Sequence, residues 1–135
     1  MPVLEQVLEQ SPGKVNIAFK HFPRRSHAYA YKAAQAAVAA QQQGKFWSFH
    51  DLLFRKYQQI NDKRIDEISK VLKLDLSRFK NEMAAANTRA RIKTDLNEGR
   101  QIGVRGTPTV FINGILLRNK TLEGFKQAIA RALKP

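Results

Sequence analysis

The chain has 135 residues, 43% of them hydrophobic, which suits one domain with one buried core. Its 24 Lys and Arg outweigh 11 Asp and Glu, and the resulting +13 favours acidic partners without naming one. Cysteine is absent, which excludes a disulfide framework, a thiolate zinc site and a cysteine nucleophile.

Val3, Leu4, Val7 and Leu8 recur at helical spacing, and Ser11-Pro12-Gly13 closes that stretch. Lys14 to Phe22 then alternates, with Val15, Ile17 and Phe19 on one face; this predicts a strand over 14–20, closed by Pro23. Ser26 is the expected N-cap of a long Ala-rich helix over 27–43 that Gly44 terminates. Residues 45–58 form a second helix with Phe46, Phe49, Leu53 and Tyr57 on one side. A third runs over 62–72 through Ile65, Ile68 and Leu72, and Asp75 caps a fourth across Phe79 and Met83. Residues 87–102 make a fifth, ended by Gly103.

The texture changes after Val104-Arg105-Gly106-Thr107-Pro108, which reads as loop. Thr109 to Ile112 is a strand, Asn113-Gly114 a two-residue hairpin turn, and Ile115 to Leu117 the returning strand. Thr121 caps a last helix carrying Phe125, Ile129 and Leu133. No repeat, low-complexity tract or linker interrupts this order, so a single domain over 1–135 is expected, with a helical insertion at about 27–102. Residues 1–20 show no basic segment followed by an apolar one, and no run approaches the ~18 apolar residues of a membrane span. The expectation is a soluble, cytoplasmic chain with no signal peptide.

The histidines are His21, His27 and His50. His50-Asp51 suggests acid–base work, but neighbours on a helix point apart. No second carboxylate or serine nucleophile joins them in a motif. Three histidines without cysteine or a spaced carboxylate cluster are a weak metal signal. No catalytic residue, metal ligand or cofactor is assigned. Phe46, Trp47, Phe49 and Phe54 read as core, with Trp47 at an interface. Arg89, Lys93 and Arg100 form one helical stripe, and Lys20, His21, Arg24 and Arg25 a basic turn; both read as solvated faces. Interleaved exposed aromatics, zinc patterns and Gly-rich phosphate loops are lacking, which argues against a dedicated nucleic-acid module.

Three motifs remain. Phe22-Pro23 is followed by His27, Ala30, Ala33-Ala34 and Ala36-Ala37. Gln43-Gly44-Lys45-Phe46-Trp47 is followed by His50-Asp51 and Leu53-Phe54. Gly103 to Thr109 runs into Phe111-Ile112-Asn113-Gly114. Together they resemble the DsbA-like branch of the thioredoxin superfamily across essentially the whole chain.

That resemblance implies an α/β fold, a thioredoxin-like sheet with an inserted helical block, and protein-disulfide oxidoreductase activity. It also implies a Cys-x-x-Cys pair at the start of the first helix, directly after a first β-strand. Met1-Pro2-Val3-Leu4 looks like the later part of that helix, so strand and cysteines are expected before residue 1. The resemblance implies a cis peptide bond before Pro108 and pairing of the preceding backbone with a substrate peptide. Gly106, Thr107 and Pro108 are therefore the candidate peptide-binding residues. Loss of a central strand would leave backbone groups to be paired. The 14–20 and 109–112 strands could pair directly, a second chain could fill the gap, or the full-length protein could supply the segment; a homodimer through the incomplete sheet is expected. Three functions follow: a catalytically inactive family member retaining peptide binding or an assembly role, a portion of an active oxidoreductase with its cysteines upstream, or a basic module making nonspecific polyanion contacts.

Overall fold

A computed structural model describes residues 2–135. The chain divides into two compact units: the segment up to Phe19 with Gly106–Pro135, and Lys20–Arg105.

The first unit holds α1 (Pro2–Gln10), β1 (Phe111–Ile112), β2 (Ile115–Leu116) and α7 (Leu122–Ala132). Its core is Val7, Leu117, Phe125 and Ile129, with Val3, Leu4, Val15, Val110 and Ile112 packed against them. The strands are antiparallel, Phe111 opposite Leu116 and Ile112 opposite Ile115. The turn between them puts Asn113 at φ 48° and Gly114 at φ 81°. Positive φ at both centres matches the right-handed twist of the flanking strands, which is why Asn-Gly serves there. The Leu117 amide donates to the Val110 carbonyl at 2.8 Å and carries the pairing one step past β2. Thr121 caps α7, its Oγ1 accepting from the Gly124 amide at 3.1 Å. Leu133, expected on that helix, lies just past its end and is 52% exposed.

Residues 15–19 show the burial of a strand without its ladder. Val15, Ile17 and Phe19 are half-buried while Asn16 and Ala18 are exposed. Yet among the described residues the sheet consists of β1 and β2 alone, so the expected 14–20 strand is not formed. Alternation places side chains on a core, whereas a strand also needs a partner backbone at hydrogen-bonding distance.

The second unit is helical: α2 (Ala30–Gln42), α3 (Phe46–Arg55), a 3-10 turn at Tyr57–Gln59, α4 (Asp62–Val71), α5 (Leu76–Ala84) and α6 (Ala86–Gln101). Ala33, Ala34, Ala36, Ala37, Ala39 and Ala40 are buried along α2. Methyl side chains let neighbouring backbones approach, and α3, α5 and α6 all pack on this helix. The core joins Phe49, Leu53, Ile65, Ile68 and Phe79 to those alanines, with the Phe49 and Phe79 rings 5.7 Å apart. A smaller cluster sets Ile92 of α6 against Ala34 and Val38, with Leu96 beside it.

Asn61 and Asp75 cap α4 and α5, accepting from the Arg64 and Arg78 amides at 2.8 and 3.1 Å. Gln43 clamps the second cap, accepting from the Asp75 amide at 2.8 Å and donating to its carbonyl at 3.1 Å. The start of α2 departs from expectation. Ser26 does not cap it; Tyr29 occupies that position without a side-chain bond. The preceding residues form turns instead, with the His27 amide on the Arg24 carbonyl and the Ala30 amide on the His27 carbonyl. α3 stops at Arg55, and Tyr57, expected on its apolar side, is 58% exposed.

Candidate functional site

Two groups of residues carry the chemistry. The first is the loop that leads into β1. Thr107 and Pro108 are exposed and Gly106 is half-buried. The Thr109 hydroxyl turns back and donates to the Gly106 carbonyl at 2.6 Å, closing the loop from behind. The Thr107–Pro108 peptide bond is cis. β1 begins only at Phe111, two residues later than expected. A Cβ added at Gly106 would meet nothing within 4 Å, so the loop has open space around that residue. The three predicted peptide-binding residues therefore form one accessible corner of the first unit.

The second group lies in the second unit, around the buried residues His21, His50 and Asp95. The His21 amide donates to Asp95 Oδ2 at 2.9 Å. Lys20 Nζ and Arg91 Nε approach the other carboxylate oxygen at 3.9 and 3.8 Å, so the buried charge is met by two cations. Burial lowers the His21 pKa to about 4; Asp95 pulls the other way, while Arg91 and His50 lower it further. His21 is thus a neutral ring at pH 7 rather than part of a basic turn. Burial also lowers the His50 pKa, partly offset by a hydrogen bond to Asp51. The expectation that His50 and Asp51 point apart is wrong: Nδ1 lies 3.4 Å from Asp51 Oδ1.

Phe46 stands between the two imidazoles, its ring centre 6.0 Å from His21 and 5.7 Å from His50. Phe54 closes on His50 at 4.4 Å and Trp47 at 5.7 Å. Trp47 and Phe54 remain 44% and 49% exposed, so of the four aromatic residues read as core only Phe49 is fully enclosed. This cluster packs two neutral imidazoles against aromatic rings and presents no thiol. Among the described residues no group of three or more His, Cys, Asp or Glu is placed to hold a metal ion. Asp95 was missed from the sequence. Its one signal was an acid set among the arginines and lysines of α6.

Comparison with known proteins bears on the whole chain. A family model described as Thioredoxin matches residues 2–131. A thioredoxin-like oxidoreductase of Silicibacter pomeroyi DSS-3 superposes with a TM-score of 0.86 at 24% identity, covering 100% of this chain and 78% of that one. The probable disulfide bond formation protein D of Bacillus anthracis is 29% identical over 132 residues, 90% of this chain and 59% of that protein. The Na(+)/H(+) antiporter NhaA 3 of Salinispora tropica is 38% identical over 101 residues, 74% of this chain but 16% of the antiporter. The chain thus spans less than two thirds of these curated relatives. Its fold is thioredoxin-like, mostly helical with a small two-stranded sheet. With a family match that runs from α1 through α7 and an element order consistent with the DsbA-like branch, the chain belongs to the thioredoxin family.

Proposed function

We propose that these residues are the polypeptide-holding part of a thioredoxin-family oxidoreductase, with Gly106, Thr107 and Pro108 presenting the docking backbone. The observation that carries this reading is the exposed 106–108 corner in a chain that matches the family over residues 2–131 and contains no cysteine. Thiol–disulfide exchange needs a thiolate as nucleophile and another as leaving group. The 135 residues hold neither, so exchange requires a dithiol from another segment or another polypeptide. The relative named as a disulfide bond formation protein supports the oxidoreductase context. The antiporter shares only 16% of its length, and among the described residues no helix is long and apolar enough to cross a membrane, so transport is no part of the proposal.

The chain by itself will not accelerate insulin reduction by dithiothreitol, and a rate above the uncatalysed one would overturn the inactive reading. It will bind a reduced, unfolded polypeptide, measured by isothermal titration. Gly106→Phe fills space that is open in the native loop and will weaken binding about tenfold without unfolding the chain. Unchanged affinity would remove the 106–108 corner as the docking site. The same unit exposes Ile115 at 75%, Leu116 at 47% and Phe111 at 37% on the hairpin, which supports a homodimer formed through this edge.

A further inference from the structure

One side of α6 is charged in a way neither the fold nor the loop accounts for. Arg89, Lys93 and Arg100 border a groove of about 370 Å³ whose wall is formed by Tyr31, Ala90 and Leu96. Arg89 donates to the Ala84 carbonyl at 2.6 Å, but it has no carboxylate partner among the described residues. Lys93 and Arg100 likewise have no ion-pair partner among the described residues. The acids of α6 are spent elsewhere, Asp95 beside His21 and Glu98 on Lys20 at 3.3 Å. No Asp or Glu lines the groove. Three cations without counter-charges thus surround an apolar wall in which the Tyr31 ring is 43% exposed.

We propose that this groove binds an acidic polypeptide segment in which apolar side chains separate the carboxylates. The cations are aligned on one helix face, with Arg89 and Lys93 about 6 Å apart along the axis at 1.5 Å per residue. In an extended peptide, alternate side chains on one side repeat at about 6.6 Å, so two acids with one residue between them match that pair. The residue between them faces away from the helix; the apolar group that meets Leu96, Ala90 and Tyr31 is the next side chain on the same face, two positions on, and Arg100 extends the positive border. Nucleic acid fits less well. A sequence-tolerant single-strand site stacks successive bases on successive aromatics, and the groove has one, Tyr31. The proposal goes beyond the 106–108 loop and does not rest on it, since the groove lies wholly within residues 20–105.

Fluorescence anisotropy on the full chain at physiological salt tests it, with four labelled 12-mers: a Glu-Leu-Glu repeat with a serine after every residue so that its Glu and Leu share one face, its Gln-Leu-Gln counterpart, oligo-glutamate and oligo-thymidine. The Glu-Leu-Glu probe should bind tightest. Lys93→Glu with Arg100→Glu should weaken it about tenfold or more, against about twofold for Lys126→Glu with Arg131→Glu, which changes net charge equally on α7. Lys93→Gln with Arg100→Gln, checked by circular dichroism, separates lost contacts from misfolding and should retain a loss of several-fold. Equal losses in the α6 and α7 variants would reduce the effect to net charge and overturn the proposal. Oligo-thymidine binding as tightly as the peptide would overturn it in favour of nucleic acid, and no binding of the Glu-Leu-Glu probe would overturn it outright. Gly106→Phe should leave the Glu-Leu-Glu probe bound as in the native chain; its loss in that variant would move binding to the 106–108 loop and overturn the proposal, whereas unchanged unfolded-polypeptide binding in that variant would count against the loop alone.

Discussion

Burial holds the His21 imidazole at a pKa of about 4, below its ordinary 6.5, so folding selects the neutral ring. Protonation then favours the unfolded chain. The stabilisation is complete above pH 6.5 and is lost as pH falls toward 4, a swing of about 3 kcal/mol. His50 is shifted in the same direction and adds to the loss as pH falls below 6.5. Urea midpoints measured from pH 7 to pH 4 should therefore fall, and His21→Phe should flatten the curve. An unchanged slope in that variant would assign the acid sensitivity to other groups. The sequence shows a histidine beside Lys20 and near Arg24 and Arg25, which reads as basic. Only the long-range approach of Asp95 and Phe46 makes it a core residue.

At the scale of elements, glycine positions separate two kinds of constraint. Gly124, in the first turn of α7, lies against Asn119 so closely that a Cβ would overlap its carbonyl oxygen. Gly124→Ala should lower stability by about 1–3 kcal/mol, read as a fall in Tm. Gly106→Ala should be nearly neutral because nothing lies within 4 Å of its Cβ position. Equal Tm values for the two variants would contradict this packing account. The caps Asp75 and Thr121 were legible in the sequence because each closes a bond only three residues away. The Asn113-Gly114 turn was legible for the same reason: its φ preferences are local. Ser26 misled because a turn competed with the cap for the same backbone, and its outcome depends on where the Ala-rich face docks.

For the whole molecule, the hairpin edge sets the expectation of self-association. Ile115 and Leu116 project apolar surface next to unpaired strand edges. The +13 charge opposes association, but its range is screened to about 8 Å at physiological salt. Sedimentation equilibrium at micromolar concentration should give a mass above the 15.4 kDa of one chain, and Ile115→Lys with Leu116→Lys should restore the single-chain mass. A wild-type chain that stays at 15.4 kDa would exclude the homodimer.

Local chemistry by itself determined the order of helices, the two strand-flanked turn residues and the lack of thiol chemistry in these residues. Each depends on neighbours within a few positions or on residue type alone. Tertiary structure decided that Val15, Ile17 and Phe19 bury without joining a ladder, because pairing needs a second backbone that sequence alternation does not specify. It also decided that His21 is neutral and that Arg89, Lys93 and Arg100 border a groove without counter-charges. Both follow from which remote side chains come within a few ångströms, and electrostatic energy depends on that distance and on the water excluded around it.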